Sequence, residues 1–278
     1  MCANRNEDSV KPQSDLPQYL GRRRVLALIA GGVSASVIAA CSADSSSSKK
    51  TVVSSPTTTD APTDSTDVAT AENCDPIPEE TSGPYPGDGS NGPDVLAIDG
   101  VERRDIRSSI GSASGTASGT QLTVDLTIVD AATCAPLAGA AVYLWHADSQ
   151  GRYSMYSSGV SDENFLRGVQ VADASGKLSF VSVYPGCYDG RWPHIHFEVY
   201  ATAADVGTRR PLVTSQLAFP RDSCEVAYAA TGYESSAGNL SRVSLDSDMV
   251  FRDGADQQTA TMTGDVNGGF TASLMVVV

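Results

Sequence analysis

Positive charge is scarce in this chain. Its 278 residues hold 19 Lys and Arg against 33 Asp and Glu, a net charge of −14. Nucleic-acid binding by counterion release needs a basic patch, so that class of function is set aside. Long apolar runs are missing too: none reaches the roughly 18 residues of a membrane-spanning helix. Aromatic residues make up 6% of the chain beside 25 glycines, and apolar residues almost nowhere recur at helical spacing, which argues against a large helical core. The six cysteines include no Cys-x-x-Cys pair, so a thiolate metal site has little support. Histidine is rarer still, at three, and no internal repeat is visible.

What is present begins with an address. Residues 1–24 are polar and end in Arg22, Arg23 and Arg24; Val25 to Ala40 then carry no charge, and Cys41 follows. A basic region, a short apolar region and small residues describe an export signal. The adjacent arginines resemble a twin-arginine signal, and the segment ending at Cys41 resembles a lipoprotein processing site, with Cys41 the lipidated residue. The competing reading is a plain signal cut elsewhere. Removal of residues 1–40 leaves 14 basic and 30 acidic groups, or −16, so attachment to a membrane would rest on the lipid. Residues 41–72, rich in Ser, Thr, Asp and Pro, read as a disordered stalk. Residues 73–278 remain as the folded domain.

That domain reads as all-β. Leu122, Val124, Leu126 and Ile128 alternate with Thr123, Asp125 and Thr127, the pattern of a half-buried strand. Ala140–Trp145 is apolar on both faces and suits a central strand. Further strands are expected at Lys177–Val183, His194–Tyr200 and Leu212–Phe219, a hairpin at Thr259–Thr263 and Phe270–Val278, and one short helix within Cys224–Tyr233. Several short strands with frequent turns imply an antiparallel β-sandwich. Four cysteines fall in this domain, an even number in an exported chain. Four cysteines allow three connectivities; the preferred one is Cys74–Cys134, pinning the domain's start, with Cys187–Cys224, bracing the segment of Tyr188.

The chemistry concentrates between Tyr184 and Tyr200, YPGCYDGRWPHIHFEVY. On a strand, Ile195, Phe197 and Val199 face one way while His194 and His196 share the other face, about 6.6 Å apart. Two imidazoles so placed can converge on a metal ion, although an isolated His-x-His is as often a polar strand face. Tyr188 lies six residues earlier, in a Pro-Gly turn, and Tyr153 and Tyr156 lie in the loop after a central strand. Phenolates are hard anionic donors that suit ferric iron. Two of them with two neutral imidazoles and a hydroxide would give a neutral centre fit for burial.

These segments resemble the intradiol ring-cleavage dioxygenases, the family of catechol and protocatechuate dioxygenases. The resemblance is carried in order by ETSGPYPGDG from Glu80, RRDI from Arg103, LWHADSQGRY ending at Tyr153, NFLRG from Asn164, YPGCYDGRWPHIHF, and SQLAF from Ser215. It implies a non-haem Fe(III) held by Tyr153, Tyr188, His194 and His196, with Tyr156 as the rival to Tyr153. It further implies Arg191 and Gln216 as catalytic groups beside Tyr188, and Pro84 and Tyr85 as pocket residues. His146 departs from the family's pattern and reads as structural, with a contact behind the metal ligands as the other possibility. The implied reaction opens a catechol-type diol between its hydroxyl-bearing carbons with O2 to a cis,cis-muconate-type acid. The expected partners are therefore a small aromatic diol and O2, with homodimerisation left open. Bulky residues common after the Gly-Pro-Tyr motif and the second Tyr are replaced here by Pro86 and Asp189. Two other readings compete: a ferrous site of His194, His196 and Asp148 or Asp189, and a lipid-tethered sandwich used only for binding.

Overall fold

The computed structural model describes residues 74–278; the expected export signal, Cys41 and the expected stalk at 41–72 lie outside them. The strands are β1 (Gln121–Val129), β2 (Ala141–Trp145), β3 (Arg167–Val171), β4 (Lys177–Val183), β5 (His194–Tyr200), β6 (Val213–Ala218), β7 (Thr261–Asp265) and β8 (Gly269–Val277). Two short helices, α1 (Arg221–Ala227) and α2 (Glu234–Leu240), lie between β6 and β7. The strands form two four-stranded sheets, ordered β4-β1-β8-β7 and β3-β2-β5-β6.

The expected alternation in β1 is observed: Leu122, Val124, Leu126 and Ile128 are buried, and the residues between them are half-buried. They join one core with Phe180 of β4, Val142 and Leu144 of β2, and Ile195, Phe197 and Val199 of β5, so both sheets feed it. Each such side chain contributes about 1.5–3 kcal/mol by leaving water.

Three expectations about the fold need correction. The antiparallel pattern holds throughout the second sheet, but in the first β1 pairs with β8 in parallel, Leu122 opposite Phe270 and Val129 opposite Val277. No hairpin joins the domain's first and last strands, so nothing local forces them antiparallel. The short helix expected within Cys224–Tyr233 begins earlier, as α1 from Arg221, and ends at Ala227; α2 follows outside that range, beyond Gly232, which takes a φ of 96°. Finally, β3 was not expected, because it opens on Arg167 and Gly168. A Cβ on Gly168 would stand 2.5 Å from Ile106 Cγ2.

The Cys74–Cys134 disulfide is present, whereas Cys187 and Cys224 are free and buried. That second expected bridge is therefore corrected. The Tyr184 hydroxyl donates to Cys224 Sγ at 3.4 Å, while the Cys187 thiol lies 3.5 Å from the Arg191 carbonyl. Helix α2 braces this segment in place of a disulfide: Ser236 Oγ accepts from the Cys187 N–H and Asn239 donates to the Cys187 carbonyl.

The second sheet carries a different chemistry on each face. Ile195, Phe197 and Val199 turn into the shared core, and His194, His196 and Glu198 alternate with them on the opposite face. Register puts Trp145 of β2 and Gln216 of β6 on either side of His196. This face packs a separate cluster that includes Tyr143, Trp145, Tyr153 and Val95, with Tyr85, Tyr156 and Tyr188 at its margin.

Candidate active site

Four ring donors from two loops and one strand meet on that face. His194 Nε2 lies 3.1 Å from His196 Nε2, 3.2 Å from the Tyr188 hydroxyl and 3.4 Å from the Tyr153 hydroxyl; the two hydroxyls are 3.4 Å apart. Imidazole nitrogens and oxygen donors about 2.0–2.1 Å from one ion, at angles of 90–110°, stand about 2.8–3.4 Å apart. The observed separations match a set of donors around a single cation.

Local structure fixes each donor. The His194 Nδ1–H donates to the Trp192 carbonyl at 2.5 Å, which leaves the Nε2 lone pair facing the cluster. The His196 Nδ1 has no hydrogen-bond partner. Its ring is held by packing instead, stacked on Trp145 with centroids 5.0 Å apart and planes 5° apart. Above it sits Gly83, with a φ of 69°, where a Cβ would come within 3.2 Å of the imidazole. The Gly-Pro-Tyr segment can approach the histidine only because a glycine stands there.

Gly151 plays the same part between the two phenol loops, since a Cβ there would meet Tyr188 Cβ at 2.9 Å. Tyr153 is 2% exposed and its backbone N–H donates to Ser157 Oγ. Tyr188 is half-buried, the more open of the two.

Tyr156 is directed elsewhere. Its hydroxyl donates to Asn91 at 2.6 Å and accepts from the Gly87 N–H, so it organises the 83–91 loop. Tyr85 packs against Tyr153, centroids 4.9 Å apart, while Pro84 is exposed. The carboxylates of the competing triad do not join the cluster. Asp148 is consumed by Arg152 and the backbone of its own turn, and Asp189 faces solvent beside Arg242. Among the described residues no group of three His, Cys, Asp or Glu side chains is placed to hold a metal.

Burial sets the protonation of the four donors. It pushes the Tyr153 hydroxyl well above the usual phenol range, with the adjacent Tyr188 adding to the effect, and raises Tyr188 as well. It drives His194 and His196 well below the usual imidazole range; Arg191 reinforces this at His194, and His194 at His196. Without a cation the cluster is neutral, two phenols and two imidazoles. A strongly charged ion is what would draw both phenol protons away.

Arg191 reaches the cluster from one side. Its Nε donates to Asp248 at 2.9 Å, its NH2 group donates to Gln216 Oε1 at 2.6 Å, and NH1 stands 3.4 Å from His194 Nε2. Gln216 is fully buried and donates to the Thr81 carbonyl at 2.9 Å. Two contributors escaped the sequence reading. Asp248 lies in no motif quoted above. Arg167 stands in NFLRG, yet a buried arginine holding loops together leaves no periodic trace.

His146 is structural, its ring nitrogens 2.8 Å from the Ala147 carbonyl and 2.7 Å from Ser182 Oγ. Burial lowers its pKa to about 4. In the unfolded chain it protonates near 6.5, so the unfolded state gains a proton that the folded state refuses between those values. Stability is therefore retained above pH 6.5 and lost as pH falls toward 4, by about 3 kcal/mol from this group alone. Urea unfolding of wild type and His146→Gln across that range checks it: the variant's stability should fall less steeply. Parallel slopes would refute the assignment.

Comparisons with known proteins show which family the chain is similar to. A family model described as Dioxygenase matches residues 92–236. A chlorocatechol 1,2-dioxygenase from Rhodococcus opacus is 32% identical over 104 residues, covering 31% of this chain and 39% of that one. The chain thus spans about two fifths of that relative's length in the alignment. An intradiol ring-cleavage dioxygenase from Tetranychus urticae has a solved structure that is 25% identical, with a TM-score of 0.58, covering 73% of this chain and 94% of that chain. A second solved dioxygenase structure matches at the same identity and coverage with a TM-score of 0.57.

Proposed function

This chain belongs to the intradiol ring-cleavage dioxygenases, and on that premise we propose that Tyr153, Tyr188, His194 and His196 hold a non-haem ferric ion for opening a catechol-type diol. The observation that carries the reading is the convergence of two imidazole nitrogens and two phenol oxygens, with separations of 3.1 to 3.4 Å, in a largely buried cluster. We read the two sheets as the β-sandwich of the intradiol type. The family uses non-haem iron, and the donor set suits it: two phenolates and two neutral imidazoles offset two of its three charges.

When bound, the ferric ion supplies a Lewis acid that chelates the diol and draws electron density from its ring, so that O2 can attack. The chain's residues do the rest. Tyr188, the more open phenol, is the group that takes up a substrate proton as the diol enters, and Tyr153, buried and tied at its backbone, stays in place. Arg191 directs guanidinium N–H groups at the negative charge that develops on the substrate oxygen. Gln216 holds Arg191 from across the strand, and Tyr85 with Pro84 forms the apolar rim. Both oxygen atoms of O2 end in the two carboxyl groups of a cis,cis-muconate-type product.

Iron analysis with a visible spectrum tests the reading. The protein as isolated should carry about one iron per chain and a phenolate-to-iron charge-transfer band, and anaerobic catechol should shift that band to the red. A colourless protein, or one whose spectrum ignores catechol, would refute it. The N-terminal segment we read as an export and lipidation signal, placing the enzyme on the outer face of the cell membrane through Cys41. Mass spectrometry of the processed N-terminus tests that separately.

A further inference from the structure

We propose that Asp248 is a positioning residue for this reaction: it holds Arg191 in the orientation that aims its guanidinium at the site. The inference rests on the dioxygenase reading above. Asp248 lies outside the matched segment 92–236, in a stretch between α2 and β7 that no motif marked.

The carboxylate is fully buried, and each oxygen has a separate task. Oδ1 accepts from the backbone N–H groups of Val250 and Phe251, at 2.8 and 3.2 Å, which shapes its own loop. Oδ2 accepts from Arg191 Nε at 2.9 Å and from the Trp192 N–H at 2.6 Å. One oxygen thereby holds the arginine's side chain and the backbone directly after it. A guanidinium is planar, so fixing Nε fixes the plane in which its two remaining nitrogens lie. Those nitrogens meet Gln216 and His194.

The alternative is that Asp248 only builds its loop. A charge buried this completely costs much to desolvate, and loop building alone does not require it, since a neutral side-chain oxygen could accept from Val250 and Phe251. The ionised form is needed where it faces the cation. Packing ties the same loop to the site, for Phe251 is buried with its ring centroid 6.4 Å from that of His194. The carboxylate also gives Arg191 a counter-charge, so the cation can stand beside a metal centre without its full repulsion.

The test compares wild type, Asp248→Asn, Arg191→Met and the double variant. Asparagine keeps an oxygen for Val250 and Phe251 while turning its amide NH2 group, a donor, toward the Arg191 Nε–H and the Trp192 N–H. Iron content, the visible band and the KM for catechol should stay near wild type in Asp248→Asn, while kcat falls about 100-fold, the scale expected of a misaimed catalytic group. In the Arg191→Met background, Asp248→Asn should lower kcat no further. Losses that multiply, or a kcat within threefold of wild type, would overturn the proposal.

A readout independent of turnover is available in iron-free protein. The Arg191 Nε–H, assigned by its loss in Arg191→Met, should give a slowly exchanging 15N–1H signal in wild type and exchange rapidly in Asp248→Asn. If it stays protected in Asp248→Asn, Asp248 does not hold the arginine. Wild type that consumes no catechol while this signal behaves as expected would sink the dioxygenase reading and leave the Asp248 contact standing.

Discussion

Tyr153→Phe should leave a colourless protein with iron affinity at least about 100-fold weaker than wild type, taking as a floor the upper cost of disturbing a ligand's supporting contacts. Only one hydroxyl is removed, from a ring already held by Tyr85 and Tyr188, so the fold should survive. The loss follows because that oxygen is one of four convergent donors, and because the ion would lose one of the two phenolates that offset its charge in a largely buried site. Tyr156→Phe is the control. Its hydroxyl serves Asn91 and Gly87, so this variant should keep its iron and colour while KM for catechol rises as the 83–91 loop loosens. Metal analysis and absorption spectra of the two variants decide the matter. Colour lost from Tyr156→Phe and retained in Tyr153→Phe would overturn the ligand assignment.

Arg167→Leu carries the largest expected effect on stability. Arg167 is 1% exposed and spends its donors on neutral oxygens: the carbonyls of Tyr85, Pro86 and Ser154, Ser154 Oγ, and the Tyr143 hydroxyl. It joins the loop of Tyr85 to the loop of Tyr153 across the end of β3. Leucine would fill much of the volume but orphan the Tyr85 and Ser154 carbonyls. The Pro86 carbonyl would keep the Tyr143 hydroxyl. A stranded buried acceptor costs about 1–3 kcal/mol, so the loss should be about 3–5 kcal/mol. In a domain of this size that lowers Tm by about 8–15 °C. Arg167→Lys should recover only part of it, since one ammonium cannot span carbonyls on two segments. Melts within 2 °C of wild type would show that water or a shifted loop replaces the guanidinium.

Much of the architecture was legible in the sequence where side chains alternate. The strands β1, β4 and β5 fall within a residue of expectation because one face meets a core, and burial enforces a two-residue period. What escaped has physical causes as well. β3 opens on a buried arginine and a glycine whose demands come from other segments, so its sequence lacks a strand's signature. The parallel union of β1 with β8 depends on packing across the whole domain. The site divides the same way. His194 and His196 could be placed on one face from spacing alone, but choosing Tyr153 over Tyr156 needed the family resemblance, and the structure then gave each hydroxyl distinct partners. Cys187 and Cys224 misled because pairing was inferred from number and location, and an even count does not place two thiols face to face. Asp248 was invisible because its partner lies 57 positions away.

The position of β8 bears on the order of assembly. It lies between β1 and β7, and closing a loop over that span costs entropy before any contact repays it. The first sheet therefore cannot be completed until β8 has emerged from the ribosome, by which time every side chain of the site has been synthesised. Docking of that strand should be a late and slow event in refolding, and a probe placed on it should report the rate-limiting phase.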